Sequence, residues 1–184
     1  MRDVGRPDGP EPGRFGAAGP EPVAEPLAGF RRWGNDRGRL YSGIFTGAGF
    51  VADPALSLPT SRLAPPPWPR DHNRAARCLA VGGHRAPHPN CRCGYYAYYG
   101  LPEGLEDAAP EAVWGAVVAW GRIVECERGF RAQYARPVAL LEPASSAGRA
   151  RRERLELAAE NYGIPLLGRD ELIAYAAWHG EVRV

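Results

Sequence analysis

The sequence predicts an α+β fold: a small β-barrel-like or strongly curved antiparallel sheet with a zinc-binding loop, followed by two C-terminal helices. Three observations carry that prediction. Short strand-like runs separated by turn residues fill the stretch from residue 29 to 143, and a helical period takes over after it. The segment RCLAVGGHRAPHPNCRCGYY, residues 77–96, holds three of the four cysteines and two of the four histidines. Glycine (23) and proline (19) are abundant among the 184 residues and crowd the first hundred positions, so that end should be rich in loops. The length fits one domain with trimmings. Its divisions are a Pro/Gly-rich disordered tail over 1–27, a β-rich zinc-stabilised domain over 28–143, and a helical extension over 144–184 packed on it.

The tail is low-complexity Pro, Gly, Ala and acid, which bury too little apolar surface to offset ordering. Two aromatic-containing runs flank Gly34-Asn35-Asp36-Arg37-Gly38, the chemistry of a hairpin turn. A proline-rich irregular connection follows over residues 52–73, with Trp68 expected to anchor it by burying its ring. After the Cys/His segment, CGYYAYYG reads as a short aromatic strand and LPEGLEDAAPEA as an acidic loop. Two long strands then meet at Cys126-Glu127-Arg128-Gly129. In the first, Val113, Val117 and Ile123 alternate with Trp114, Val118 and Val124, so both faces are apolar, as in a barrel wall or the middle of a sheet. Gly115 and Gly121 interrupt it where a barrel bends or another segment comes close.

In the last part, Ser145 or Ser146 is placed to cap a helix with Leu155, Ala158, Ala159 and Tyr162 on one face and Gly163 as its stop. IPLL reads as a short buried strand or link, and Asp170 as the cap of a second helix that Gly180 ends.

Composition narrows the function classes. No apolar run approaches the length of a membrane span and the N-terminal residues lack the apolar core of a signal peptide, so the expected location is cytoplasmic. No phosphate-loop or nucleophile–base signature stands out. All 23 basic residues are arginine, which fits either GC-rich coding or selection for bidentate contacts with phosphate and carboxylate. Charge is laid out in blocks: residues 29–100 hold ten arginines against three acids, 101–127 one against six, and 128–154 seven against two. A basic body of this kind suits a polyanion, unless the acidic and basic blocks simply meet in the fold.

Zinc takes four deprotonated nitrogen or sulfur donors in a tetrahedron, and Cys78-x5-His84-x6-Cys91-x-Cys93 supplies four. The intervening residues can wrap an ion, and Gly94 lets the chain turn close to a thiolate. His88 is the alternative nitrogen donor. A disulfide from Cys78 to Cys91 or Cys93, or free thiols, is the alternative to a metal. Cys126 lies outside the cluster and reads as a small buried residue. With all four donors engaged the site is closed and structural, contributing on the order of 10 kcal/mol of apparent folding free energy.

The blocks ARC…HRAP…CRCGYYAY and VWGAVVAWGRIVE…RGFRAQYARPVAL, preceded by GFRRW…GRLYS, resemble a group of uncharacterised proteins from high-GC actinobacteria. In that group a C…HxAPxxxCxCGxYA block precedes a WGxVxExxxGxRAxxAxP hairpin. The resemblance spans roughly residues 29–143 and implies a shared fold and a shared site, without an activity. It would place a histidine where this chain has Cys126.

The function expected from these residues is a zinc-stabilised binding module that recognises nucleic acid or another polyanionic partner. Small barrels that do this combine aromatic side chains with an arginine-lined groove. Here Tyr95, Tyr96, Tyr98 and Tyr99 adjoin a segment with Arg70, Arg74, Arg77, Arg85 and Arg92. The binding residues singled out are Arg77, Arg92, Tyr96, Tyr98 and Arg131, with Arg31, Arg32 and Arg136 as candidates to extend the face. One alternative is a regulatory subunit docking a protein partner through Arg151, Arg152 and Arg154 on the first helix. Another is a zinc-dependent hydrolase with Glu125 as general base, although Glu125 is better placed to pair across the hairpin with Arg131.

Overall fold

The computed structural model describes residues 22–46, 49–52, 67–70, 74–78, 83–103, 112–144 and 147–183. The fold is α+β, and its organising element is β1 (Pro22–Asp36), a strand bonded on both of its edges. One edge runs antiparallel along β6 (Ala112–Cys126), from Pro22↔Arg122 to Gly34↔Ala112. The other meets β5 (Tyr95–Tyr98) at Phe30↔Tyr98. Both β5 and β6 pair antiparallel with β7 (Gly129–Leu141), so β1, β5, β7 and β6 close a ring. Closure removes the exposed edges that an open sheet of this size would present.

Beyond the ring, β1 folds back on β2 (Arg39–Tyr41) through a turn at Arg37 (φ 48°) and Gly38 (φ 73°), as the hairpin residues predict. Strands β3 (Gly43–Thr46) and β4 (Gly49–Ala52) pair with each other in a separate two-stranded sheet. The chain then reaches α1 (Arg149–Tyr162), β8 (Leu166–Leu167), α2 (Arg169–His179) and β9 (Glu181–Val182). The two short strands lie parallel to their partners, β8 on β7 and β9 on β1.

Because successive side chains of a strand point to opposite faces, the long strands feed two cores. One gathers Leu27, Trp33, Ala97, Val117 and Phe130 with Leu155, Ala158 and Ala159 of α1. The other gathers Ala28, Phe30, Val118 and Val138 with Leu172 and Ala176 of α2. The alternation expected for β6 holds for Val113, Val117 and Ile123 in the first core and for Val118, with Trp114 packed beside it, in the second, whereas Val124 belongs to neither core. Both glycine interruptions have a use. Gly121 (φ 80°) sits at the register shift between Trp120 and Ile123, where a side chain would be strained. A methyl group on Gly115 would run into the Ala139 carbonyl oxygen. Trp68 anchors its loop as expected, 3% exposed, its backbone N–H donating to the Leu40 carbonyl at 2.8 Å.

Several boundaries differ from expectation. Strand β1 starts at Pro22, inside the stretch assigned to the tail, because backbone pairing with Gly121 and Arg122 needs no apolar side chains. Residues 1–21 lie outside the described residues, as do Ser145 and Ser146, and Gly148 is the N-cap of α1. Asp170 is inside the first turn of α2 rather than capping it. The cap position is Gly168, whose N–H donates to the Glu171 carboxylate at 3.2 Å. Gly163 (φ 63°) and Gly180 end their helices as predicted. The acidic loop is described only at its start, residues 101–103. No helix among the described residues is long and apolar enough to cross a membrane.

The tight β6–β7 approach makes Gly115→Ala destabilising by about 1–3 kcal/mol, with a lowered urea midpoint and an unchanged slope. An unchanged midpoint would mean that the two strands have room for a methyl group there.

Candidate metal centre

Two described segments, 74–78 and 83–94, bring Cys78, His84, Cys91 and Cys93 together ahead of β5. Neither is regular structure, and the body of the protein holds them. Ala76 donates its N–H to the Gln133 carbonyl of β7 at 2.7 Å, just before Cys78. Ala86 and Pro87, between His84 and Cys91, are buried, and the Ala86 carbonyl accepts from Arg122 Nη2 at 3.3 Å. The remaining clamp is Arg131, whose Nη1 donates to the carbonyls of His88 (3.2 Å), Cys91 and Cys93 (3.3 Å). Gly94 (φ 122°) makes the turn after Cys93, with Pro87 and Arg131 packed where a side chain would stand.

The four donor atoms lie within 4.8 Å of one another, and all four residues are half-buried. Cys78 Sγ stands 3.7 Å from Cys91 Sγ, and His84 Nε2 stands 3.3 Å from Cys93 Sγ. A disulfide needs sulfurs about 2.0 Å apart. All four cysteines are free, so the disulfide alternative does not describe this arrangement. His84, not His88, stands in the cluster with the three cysteines. His88 turns its ring to its own loop, where Nδ1 accepts from the Asn90 N–H at 3.3 Å, and the two rings sit 4.7 Å apart. Cys126 lies away from the cluster, half-buried, with its Sγ 3.9 Å from the Val124 carbonyl.

Burial pushes the Cys93 thiol up to about 11, helped by its hydrogen bond with Cys91 and by repulsion from Cys91 and Cys78, against a hydrogen bond from the His88 backbone. The Cys93 thiol so placed resists ionisation, and a bound cation would reverse that preference. A Cys3His set at these distances fits a metal ion.

The residues singled out for binding surround this cluster to different degrees. Arg77 and Arg92, both exposed, are carried to its rim by their neighbours Cys78, Cys91 and Cys93. Tyr96 and Tyr98 share one face of β5, edge to face at 5.0 Å, with Tyr98 6.0 Å from Trp114. Burial pushes the Tyr96 phenol up to about 12. Tyr95 points the other way and packs on Trp68 at 5.0 Å, so the four tyrosines divide between two faces. Arg131 faces Tyr96 across β5–β7 and spends its guanidinium on the metal loop. Arg31 does not join a surface. It is 3% exposed, lies 4.7 Å from the centre of the Trp68 ring and donates to the Tyr96 carbonyl.

Glu125 pairs with Arg183, not with Arg131, because the register sets Glu125 opposite Phe130 and Arg131 opposite Val124. Sequence reasoning missed the loop-holding roles of Arg122 and Arg131. Only the lack of regular structure around the cysteines, which leaves many carbonyls to satisfy, could have signalled them. No family model, curated protein or solved structure matches the chain.

Metal must displace the Cys93 proton, so apparent metal affinity should rise with pH through the neutral range and keep rising beyond about 8.5, where an ordinary thiol is half ionised. A competition titration with a chromophoric chelator at several pH values reads this directly. A plateau below that pH would contradict the buried-thiol geometry. Arg131→Ala should loosen the loop and weaken metal affinity roughly 10- to 100-fold while leaving the donors in place.

Proposed function

We propose that this protein is a zinc-stabilised binding module that takes nucleic acid on the arginine-rich rim of its metal loop. The observation that carries the reading is the charge of that loop. Arg77, Arg85 and Arg92 are all exposed on it, and no acid falls within residues 74–78 or 83–93. Tyr96 and Tyr98, on the strand that leaves the loop, are half-exposed rings beside this charge, suited to stacking on bases.

Zinc is favoured by the donors themselves, since thiolates with imidazole select it over harder cations. Bonds of about 2.3 Å to sulfur and 2.0 Å to nitrogen give tetrahedral edges of about 3.5–3.8 Å. The separations of 3.7 Å and 3.3 Å are close to these edges, and the set as a whole, within 4.8 Å, would draw in by up to about 1 Å to meet them. Four protein donors fill the tetrahedron and leave no position for a reacting water, so the metal's role is to hold the loop. Glu125, exposed and tied to Arg183, is not poised as the base of a hydrolase.

A second reading, a protein-docking module, has its own observation: Trp178 of α2 is 78% exposed, with Ile173 on the same helix at 39%. The arginines of α1 favour it less, because Arg149 pairs with Glu153 at 2.7 Å and Arg152 lies 4.0 Å from Glu142.

Fluorescence anisotropy with single-stranded DNA, duplex DNA and single-stranded RNA at increasing salt tests the first reading. Affinity should fall linearly in logarithmic coordinates, and Arg77→Ala and Arg92→Ala should each weaken binding and reduce the slope by about 1. No salt-dependent binding to any of the three would sink it and turn attention to Trp178.

A further inference from the structure

A second basic site lies away from the metal loop's rim. Between β2, the Pro67–Arg70 segment and the end of α1 is a cleft of about 680 Å³, with Arg39, Arg70 and Arg74 around it and Tyr162, Pro67 and Pro69 along its wall. That volume is within the range of roughly 300–1,000 Å³ typical of small-ligand sites.

Its floor is fixed by contacts between distant parts of the chain. Tyr162 donates from its hydroxyl to the Trp68 carbonyl at 2.9 Å and accepts from the Leu40 N–H at 3.2 Å. The Trp68 indole donates to Ser42 Oγ at 2.7 Å and packs edge-on against Trp33 at 5.3 Å. Arg70 lies over the Tyr162 ring at 5.7 Å. Arg74 reaches the cleft from a main chain held by Tyr95, whose hydroxyl donates to the Arg74 carbonyl at 3.2 Å. All three arginines are exposed, and among the described residues no carboxylate forms an ion pair with any of them.

Three cations brought to one concavity, none of them ion-paired with a described carboxylate, over a preformed floor, describe a receptor for an anion. A carboxylate offers one charge and two oxygens, fewer than three guanidinium forks can use. A phosphate monoester offers close to two charges and three terminal oxygens. The cleft exceeds what a phosphate alone would fill, and Pro67 and Tyr162 line it beside the arginines. We infer that this cleft binds a small phosphorylated ligand, with the phosphate held by Arg39, Arg70 and Arg74. The site is separate from the rim residues Arg77 and Arg92, so it stands or falls apart from the nucleic-acid reading. Its ligand is either a free phosphorylated metabolite or the phosphorylated end of a nucleic-acid strand.

Calorimetry on the full chain, purified with its metal, tests this with AMP and with adenosine as the phosphate-free control. AMP should bind saturably and adenosine at least about tenfold more weakly. Arg39→Gln, Arg70→Gln and Arg74→Gln should each weaken AMP by about tenfold without lowering the melting temperature, because these side chains are exposed. Arg77→Ala and Arg92→Ala should leave AMP affinity unchanged. A 5′-phosphorylated oligothymidylate that binds more tightly than its 5′-hydroxyl counterpart, with the preference lost in Arg70→Gln, identifies a strand end as the ligand. AMP binding with no such preference identifies a free metabolite. The inference is overturned if neither AMP nor a 5′-phosphate is recognised, or if recognition survives in the Arg39→Gln/Arg70→Gln/Arg74→Gln triple variant. Oligonucleotide binding that still falls with Arg77→Ala would then leave the rim reading standing alone.

Discussion

The constraint on which the rest depends is the two-sided pairing of β1. A strand bonded to β6 along one edge and to β5 on the other closes the four strands β1, β5, β7 and β6 into a ring. So small a ring has little room inside and needs strong coiling. Small side chains answer the first demand: Gly29 sits where any side chain would meet the Tyr98 carbonyl at 2.7 Å and Phe130 at 2.9 Å, and Ala97, Ala119 and Ala132 are buried around it. Register shifts within β1–β6 and β6–β7 answer the second. Both helices then cover the sheet, and the metal loop hangs from the point where β5 enters the ring.

A chain with no lysine uses arginine for internal construction as well as for surface charge. Arg31, Arg122, Arg131 and Arg169 all donate to main-chain carbonyls, and those of the last three lie in the irregular segments at 86–93 and 101–102. Segments rich in glycine and proline make few ladder bonds, so their carbonyls need other donors. A planar guanidinium with five N–H groups on a long stem can reach such carbonyls, and Arg131 gathers three of them around its Nη1. The arginines therefore divide by work: those that hold loops, those on the metal loop's rim, and those around the cleft.

That division marks the limit of what was legible in sequence. Period and turn chemistry announce the hairpin at Gly34–Gly38, the two long strands with their glycine interruptions, and both helices, because those signals are local. The donor set was legible because its members lie close together along the chain. The choice between His84 and His88 needed the fold of the loop, and the partner of Glu125 needed a register that differs by one residue from the one expected. Strand β1 was partly hidden because its first residues, Pro22 and Val23, belong to a low-complexity stretch and yet pair with β6. The cleft was invisible, since Tyr162 belongs to a helix far along the chain from Arg39 and Trp68. Nor could composition tell a buried guanidinium such as Arg31 from an exposed one.

The segment 74–78 is short, fixed near its middle by the bond from Ala76 to Gln133, and ends in residues with different obligations. Arg74 borders the cleft and Cys78 belongs to the metal cluster. Arg74 and Cys78 thus stand at the two ends of one short run of chain pinned at Ala76. A change at that anchor would reach both the cleft and the cluster, and any coupling between the two sites, once occupied, would be reciprocal.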